Sequence, residues 1–248
     1  MLGRNAEFAR RLSTVALGAI AVACANPPRP AALAPRGGPD PIERFLAGRS
    51  IIYGHLQPSA NLGDSVRSGM PIGIVDSIPP VQSARHQGNL TAARDLYSQG
   101  RFLDAVGKLR LAVRDEPENP FLLSELGRAL FRIDSLKPES RATYVRLVSL
   151  LDAAASAPPG AVVVDLWFVD AYWKLALLDL DAEDYRGALL QLAKVTLAPH
   201  PNTDFEEQLF GYLAETFYHL GDRQAARWFA DRTLRLNSRN QYVLPFRD

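Results

Sequence analysis

The feature that most restricts what this chain can fold into is a spacing. Across residues 100–117, GRFLDAVGKLRLAVRDEP, small and apolar residues fall at Gly100, Phe102, Ala105, Leu109 and Ala112, and Pro117 closes the stretch. Steps of three and four from Phe102 to Ala112 put these side chains on one face of a helix. The charged residues Asp104, Lys108, Arg110 and Arg114 fall largely elsewhere. Gly100 ends the preceding helix and Pro117 stops this one. Segments of the same kind recur to the C-terminus, separated by PENP, IDSLKPES, SAPPG, DAEDY, APHPN and LGDR. From about residue 83, eight helices in four antiparallel pairs is the simplest reading.

Internal repetition tests that reading. The helix before the opening stretch supplies Ala93 and Leu96. Thirty-four residues on, Leu123, Leu126, Gly127 and Leu130 stand in the equivalent helix. A third unit shows Leu175, Ala176 and Leu178, then Tyr185, Ala188 and Leu192. The last has Phe210, Leu213, Ala214 and Phe217, then LGDRQAA with Gly221 and Ala226. Together these units resemble the tetratricopeptide repeat, in which small residues let two helices approach closely and aromatic or leucine side chains fill the seam. The resemblance covers roughly residues 84–240 and implies an all-α helical-repeat solenoid of about four helix pairs. It also places Ala105 and Ala226 at close helix crossings. The second unit runs long through 135–160, and Ser238 stands where the repeat usually ends in proline.

The N-terminus carries an address. Arg4, Arg10 and Arg11 precede an apolar run, LSTVALGAIAVA, that leads directly into Cys24, the one cysteine of the chain. That run falls well short of the roughly 20 apolar residues needed to cross a bilayer, and Pro27, Pro28 and Pro30 follow. It reads as a signal peptide over 1–23. AVAC, residues 21–24, resembles the bacterial lipobox, which implies that Cys24 is lipidated and that the protein is an outer-membrane lipoprotein facing the periplasm. Cleavage at an Ala-x-Ala site, leaving a secreted or periplasmic protein, is the alternative. Residues 24–42 form a Pro-rich linker. Residues 43–82 read as an irregular segment with a short hairpin, 83–240 as the repeat domain and 241–248 as a tail.

Chemistry of other kinds finds little support. Net charge is +1, from 28 basic and 27 acidic residues, which gives no basis for nucleic-acid binding. A single cysteine allows neither an internal disulfide nor a multi-cysteine metal site. His55, His86, His200 and His219 are widely spaced, so no metal or other cofactor is expected. GDSV at 63–66 resembles the nucleophile block of GDSL esterases, but the Asp-x-x-His pair that family needs is missing. The acidic residues Asp115, Glu118, Asp181, Glu183 and Asp184 sit in or beside turns, as helix caps do. Trp167, Trp173 and Trp228 read as packing. No catalytic residue is assigned.

What remains is a binding surface. In repeat solenoids the first helices of successive pairs line a concave face that takes an extended peptide or a partner helix. By the resemblance, Tyr97, Phe131 and Tyr218 occupy equivalent groove positions, with Arg94, Arg128 and Glu215 one turn before them and Tyr172 joining them. Arginine interleaved with aromatics is hot-spot material. The expected function is a protein–protein adaptor of the cell envelope, bound to a protein or peptide and reaching the membrane only through its lipid. Alternatives are a lipoprotein of the outer-membrane protein assembly machinery, which shares this layout, or an enzyme with its site in 43–82. Reversing the charge of both Arg94 and Arg128 is expected to leave the fold intact.

Overall fold

The computed structural model describes residues 40–58, 73–75, 84–199 and 202–247. The signal peptide, Cys24, most of the linker, Ser65, His200 and the side chain of His86 lie outside the described residues. The helices are α1 (Pro41–Leu46), α2 (Ala84–Ser98), α3 (Phe102–Asp115), α4 (Pro120–Phe131), α5 (Lys137–Ala154), α6 (Val169–Asp181), α7 (Tyr185–Thr196), α8 (Thr203–His219) and α9 (Arg223–Leu236). From α2 onward they pack as four consecutive hairpins, and each hairpin packs on the next. This is a tetratricopeptide-like helical-repeat solenoid.

Local sequence explains the boundaries. Asn119, Asp184, Asn202 and Asp222 each cap the following helix, their side chains accepting backbone N–H groups of its first turn. Pro120 sits at the first position of α4, where a missing N–H costs nothing. Gly100 and Gly221 close the first helices of the first and last pairs at φ of 75° and 86°, where a side chain would be strained.

Within a hairpin, small residues set the approach. Ala93, Ala105, Ala112, Ala176, Ala188, Ala214 and Ala226 are all buried, with Ala105 and Ala226 at 0% exposure. In the second hairpin Gly127 faces Tyr144, and the Ser140 hydroxyl donates to the Gly127 carbonyl at 2.8 Å. One core cluster binds α2, α3 and α4 through residues such as Leu90, Leu109, Leu122 and Leu130. The larger cluster runs on to the C-terminal turn at Leu244–Phe246, through Tyr144, Tyr172, Leu192, Phe229 and Val243.

Two insertions complete that larger core. The extra length of the second unit becomes a long α5 followed by strand β4 (Val162–Asp165), whose valines are buried. Strand β1 (Ile51–Gly54) pairs with β4 in parallel, Ile51 opposite Val162 and Gly54 opposite Asp165. Strands β2 (Leu56–Pro58) and β3 (Gly73–Val75) pair antiparallel. Ile42 and Leu46 of α1 belong to the same core as the last two hairpins. The stretch before residue 83 is therefore not only a spacer: α1 and β1 are built into the solenoid.

Candidate functional site

The first helices of successive hairpins, α2, α4, α6 and α8, are joined by side chains that reach from each to the next. Arg94 of α2 donates to Glu125 Oε1 of α4 from Nε at 3.0 Å and from Nη2 at 2.8 Å. Arg128, one turn after Glu125 on the same helix, donates to Oε2. Two guanidinium groups thus share one carboxylate, and the trio carries a net positive charge. Arg94 is 55% exposed, whereas Arg128 and Glu125 are 20% and 14% exposed.

The aromatic residues extend this row. The Arg128 guanidinium lies over the Tyr97 ring, 5.0 Å from its centre. Tyr97 meets the edge of Phe102 at 5.1 Å, and Arg132 covers Phe102 at 4.6 Å. Lys174 of α6, ion-paired to Asp170, approaches Phe131 of α4 at 5.9 Å. Trp173 of α6 packs on Phe205 and Tyr212 of α8. Arg94, Tyr97 and Arg128 are therefore brought together by α2 and α4, while Phe131, one turn after Arg128 on α4, meets α6 through Lys174.

The last hairpin is different. Tyr218 carries Arg223 at 3.5 Å and packs on Phe246 of the C-terminal turn. Glu215 accepts a hydrogen bond from the Tyr242 hydroxyl. Burial pushes the Glu215 carboxyl above its usual range, opposed by that bond and by the charge of His219. The C-terminal turn thus occupies the side chains of α8 that an incoming partner was expected to meet.

Tyr172 does not join the groove. It is fully buried, its hydroxyl accepts the Asp165 backbone N–H at 3.1 Å, and Lys194 sits over its ring at 4.8 Å. The physical reason is register. Tyr97, Phe131 and Tyr218 each follow a small packing residue (Ala93, Gly127, Ala214) by four positions, whereas Tyr172 precedes Ala176 by four. The matching position of α6 holds Leu180, which is half-buried.

One constellation was not anticipated. His55 follows β1 in the left-handed region at φ 55° and presents Nδ1 to Asp165 Oδ1 at 2.8 Å. The Trp167 backbone N–H donates to the same oxygen at 3.0 Å, and the His55 ring stacks on the Trp167 indole at 3.3 Å. Trp167 in turn leans on Phe121 at the start of α4. Gly54 permits this: an added Cβ would stand 3.0 Å from the Asp165 carboxylate. The pair ties the β1 end to the β4 turn. The partners are 110 residues apart, so no local pattern could have revealed them. Among the described residues no group of three or more His, Cys, Asp or Glu side chains is placed to hold a metal ion, and no helix is long and apolar enough to cross a membrane.

No protein-family model matches this sequence, and no curated protein matches it. Solved structures do resemble it in fold. A crystal structure of MamA matches with a TM-score of 0.51 at 15% identity, covering 65% of this chain and 78% of that one. A structure of MamA from Desulfovibrio magneticus RS-1, residues 41 to the end, matches with a TM-score of 0.50 at 12% identity, covering 64% and 78%. At such identities the likeness is one of fold.

Proposed function

We propose that this chain is a protein-interaction adaptor of the bacterial cell envelope, which binds a protein or peptide segment along the face formed by its first helices. The observation that carries the reading is the row from Arg94 through Glu125 and Arg128 to Tyr97 and Phe131. It links the first helices of the first two hairpins, is met from the third by Lys174 over Phe131, and keeps a net positive charge, which suits a segment with acidic and apolar residues. The basic, apolar N-terminus ending in Cys24 supports an envelope address, with the lipidated cysteine and Pro-rich linker acting as a tether to the outer membrane.

Full-length protein used as bait on envelope extracts tests the binding half. A partner lost on Arg94→Ala but retained on Arg110→Ala, an exposed arginine of a second helix paired to Glu139, fits the proposal; equal retention by both contradicts it. Metabolic labelling with a fatty-acid analogue tests the tether, which requires labelled wild type and unlabelled Cys24→Ala.

A further inference from the structure

The turns of the first two hairpins line an open surface hollow that the adaptor reading does not use. Its volume is about 390 Å³, and its apolar wall is Phe102, Leu103, Ile133 and Leu136. Phe102 and Leu136 are 34 residues apart, so the hollow lies between equivalent ends of neighbouring repeats. Leu103, on its wall, is 66% exposed, the most exposed large apolar side chain among the described residues. An exposed leucine alone is ordinary. Here the exposed leucine continues the apolar wall of Phe102, Ile133 and Leu136, which gives a partner side chain a place to seat.

The charges nearest to it pair off: beside the lining residues Ile133 and Ser135, exposed Asp134 lies 3.5 Å from Lys137. Arg101 and Asp104 neutralise each other across 2.7 Å. Arg132, exposed and lying over the Phe102 ring, meets no carboxylate among the described residues. Behind it the ring contact from Phe102 to Tyr97 leads to Arg128 and Arg94, which share Glu125. Arg132 and the net positive Arg94–Glu125–Arg128 trio thus remain as cationic points beyond the pairs at the hollow itself. We infer that the hollow is an anchor site for one large aliphatic side chain of the partner, flanked in the partner's sequence by carboxylates that meet Arg132 and the Arg94–Arg128 pair. The inference rests on the adaptor reading and adds to it the place and chemistry of the anchor.

Synthetic peptides in a Gly-Ser frame, carrying Glu-Leu-Glu, Glu-Ala-Glu or Lys-Leu-Lys, test this against full-length protein labelled at methyl and aromatic positions for NMR. Methyl signals of Leu103, Ile133 and Leu136 report the hollow, while ring signals of Tyr97 and Phe131 report the inner face. The Glu-Leu-Glu peptide is expected to shift the three methyl signals. Replacing its leucine by alanine should weaken binding roughly tenfold, the factor that about 1.4 kcal/mol produces. Leu103→Glu and Arg132→Glu alter exposed side chains, and each should abolish the methyl shifts with the amide spectrum otherwise unchanged. Shifts at Tyr97 and Phe131 with silent methyls would overturn the anchor and leave the inner face standing. Silence at both sets with every peptide would overturn the anchor too. Equal shifts with Lys-Leu-Lys would overturn the charge requirement.

Discussion

The backbone of Gly127 lies directly against the ring of Tyr144: a Cβ added at Gly127 would stand 2.7 Å from Tyr144 Cζ. This contact closes the second hairpin, and Tyr144 is wholly buried in making it. Gly127→Ala therefore overpacks a filled site and should cost about 1–3 kcal/mol. In the Tyr144→Leu background the same change should cost much less, because the ring that it strikes is gone. Urea denaturation of the four proteins in this cycle gives the coupling. Additive effects would mean that the two helices approach differently.

The strap before the repeats should be needed for stability. Ile42 and Leu46 are buried against the last hairpins, and β1 supplies the partner of β4. A fragment starting at residue 84 leaves both contact surfaces in water. Losing two buried aliphatic side chains alone amounts to about 3–6 kcal/mol. Thermal unfolding of 84–248 beside 39–248 should show the shorter fragment melting well below the longer one, and equal melting would mean that the strap is only laid on the surface.

Arg94 and Arg128 cannot be reversed without cost, contrary to the expectation from sequence. Both hold Glu125, which is 14% exposed, so Arg94→Glu with Arg128→Glu would gather three carboxylates. The double variant should lose about 1–2 kcal/mol, discounted for the exposure of Arg94. Adding Glu125→Gln should return most of it. Denaturation in low and high salt checks the origin, since salt should narrow the gap.

Glu215 should impose a pH dependence. Burial is the largest influence on it and raises its folded value above 4.5, and Asp181 adds to the rise, while Tyr242 and His219 oppose it. A carboxyl that holds its proton more tightly when folded stabilises the fold at low pH. That contribution fades as pH climbs from the unfolded value through the folded one. Glu215→Gln removes the titration and keeps an acceptor for the Tyr242 hydroxyl. The variant should gain stability relative to wild type as pH rises from about 4 towards neutrality. A constant difference in urea midpoint across that range would contradict the assignment.

The solenoid was legible because its signals are local. Phe102, Ala105, Leu109 and Ala112 show one helix face, and Gly127 follows Ala93 by the length of a repeat. What could not be read depended on pairings between distant segments. Strand Val162–Asp165 lies in a stretch that looks like an inter-repeat break, and its partner Ile51–Gly54 is more than a hundred residues away in parallel register. The same distance hid His55 from Asp165. Tyr172 was misplaced by register alone, since an aromatic on a first helix faces the core or the inner face according to its offset from the small packing residue. Glu125, the carboxylate that Arg94 and Arg128 share and that sets the cost of changing them, was passed over.

The central claim is that a partner binds the face made by the first helices. A photo-crosslinking amino acid placed at Arg94, exposed on α2, or at Lys108, exposed on the second helix α3, tests it directly in cells. The account predicts a discrete protein adduct from position 94, none from position 108, and loss of the adduct when Tyr97→Ala is added. An adduct of equal yield from position 108, or one indifferent to Tyr97→Ala, would contradict it.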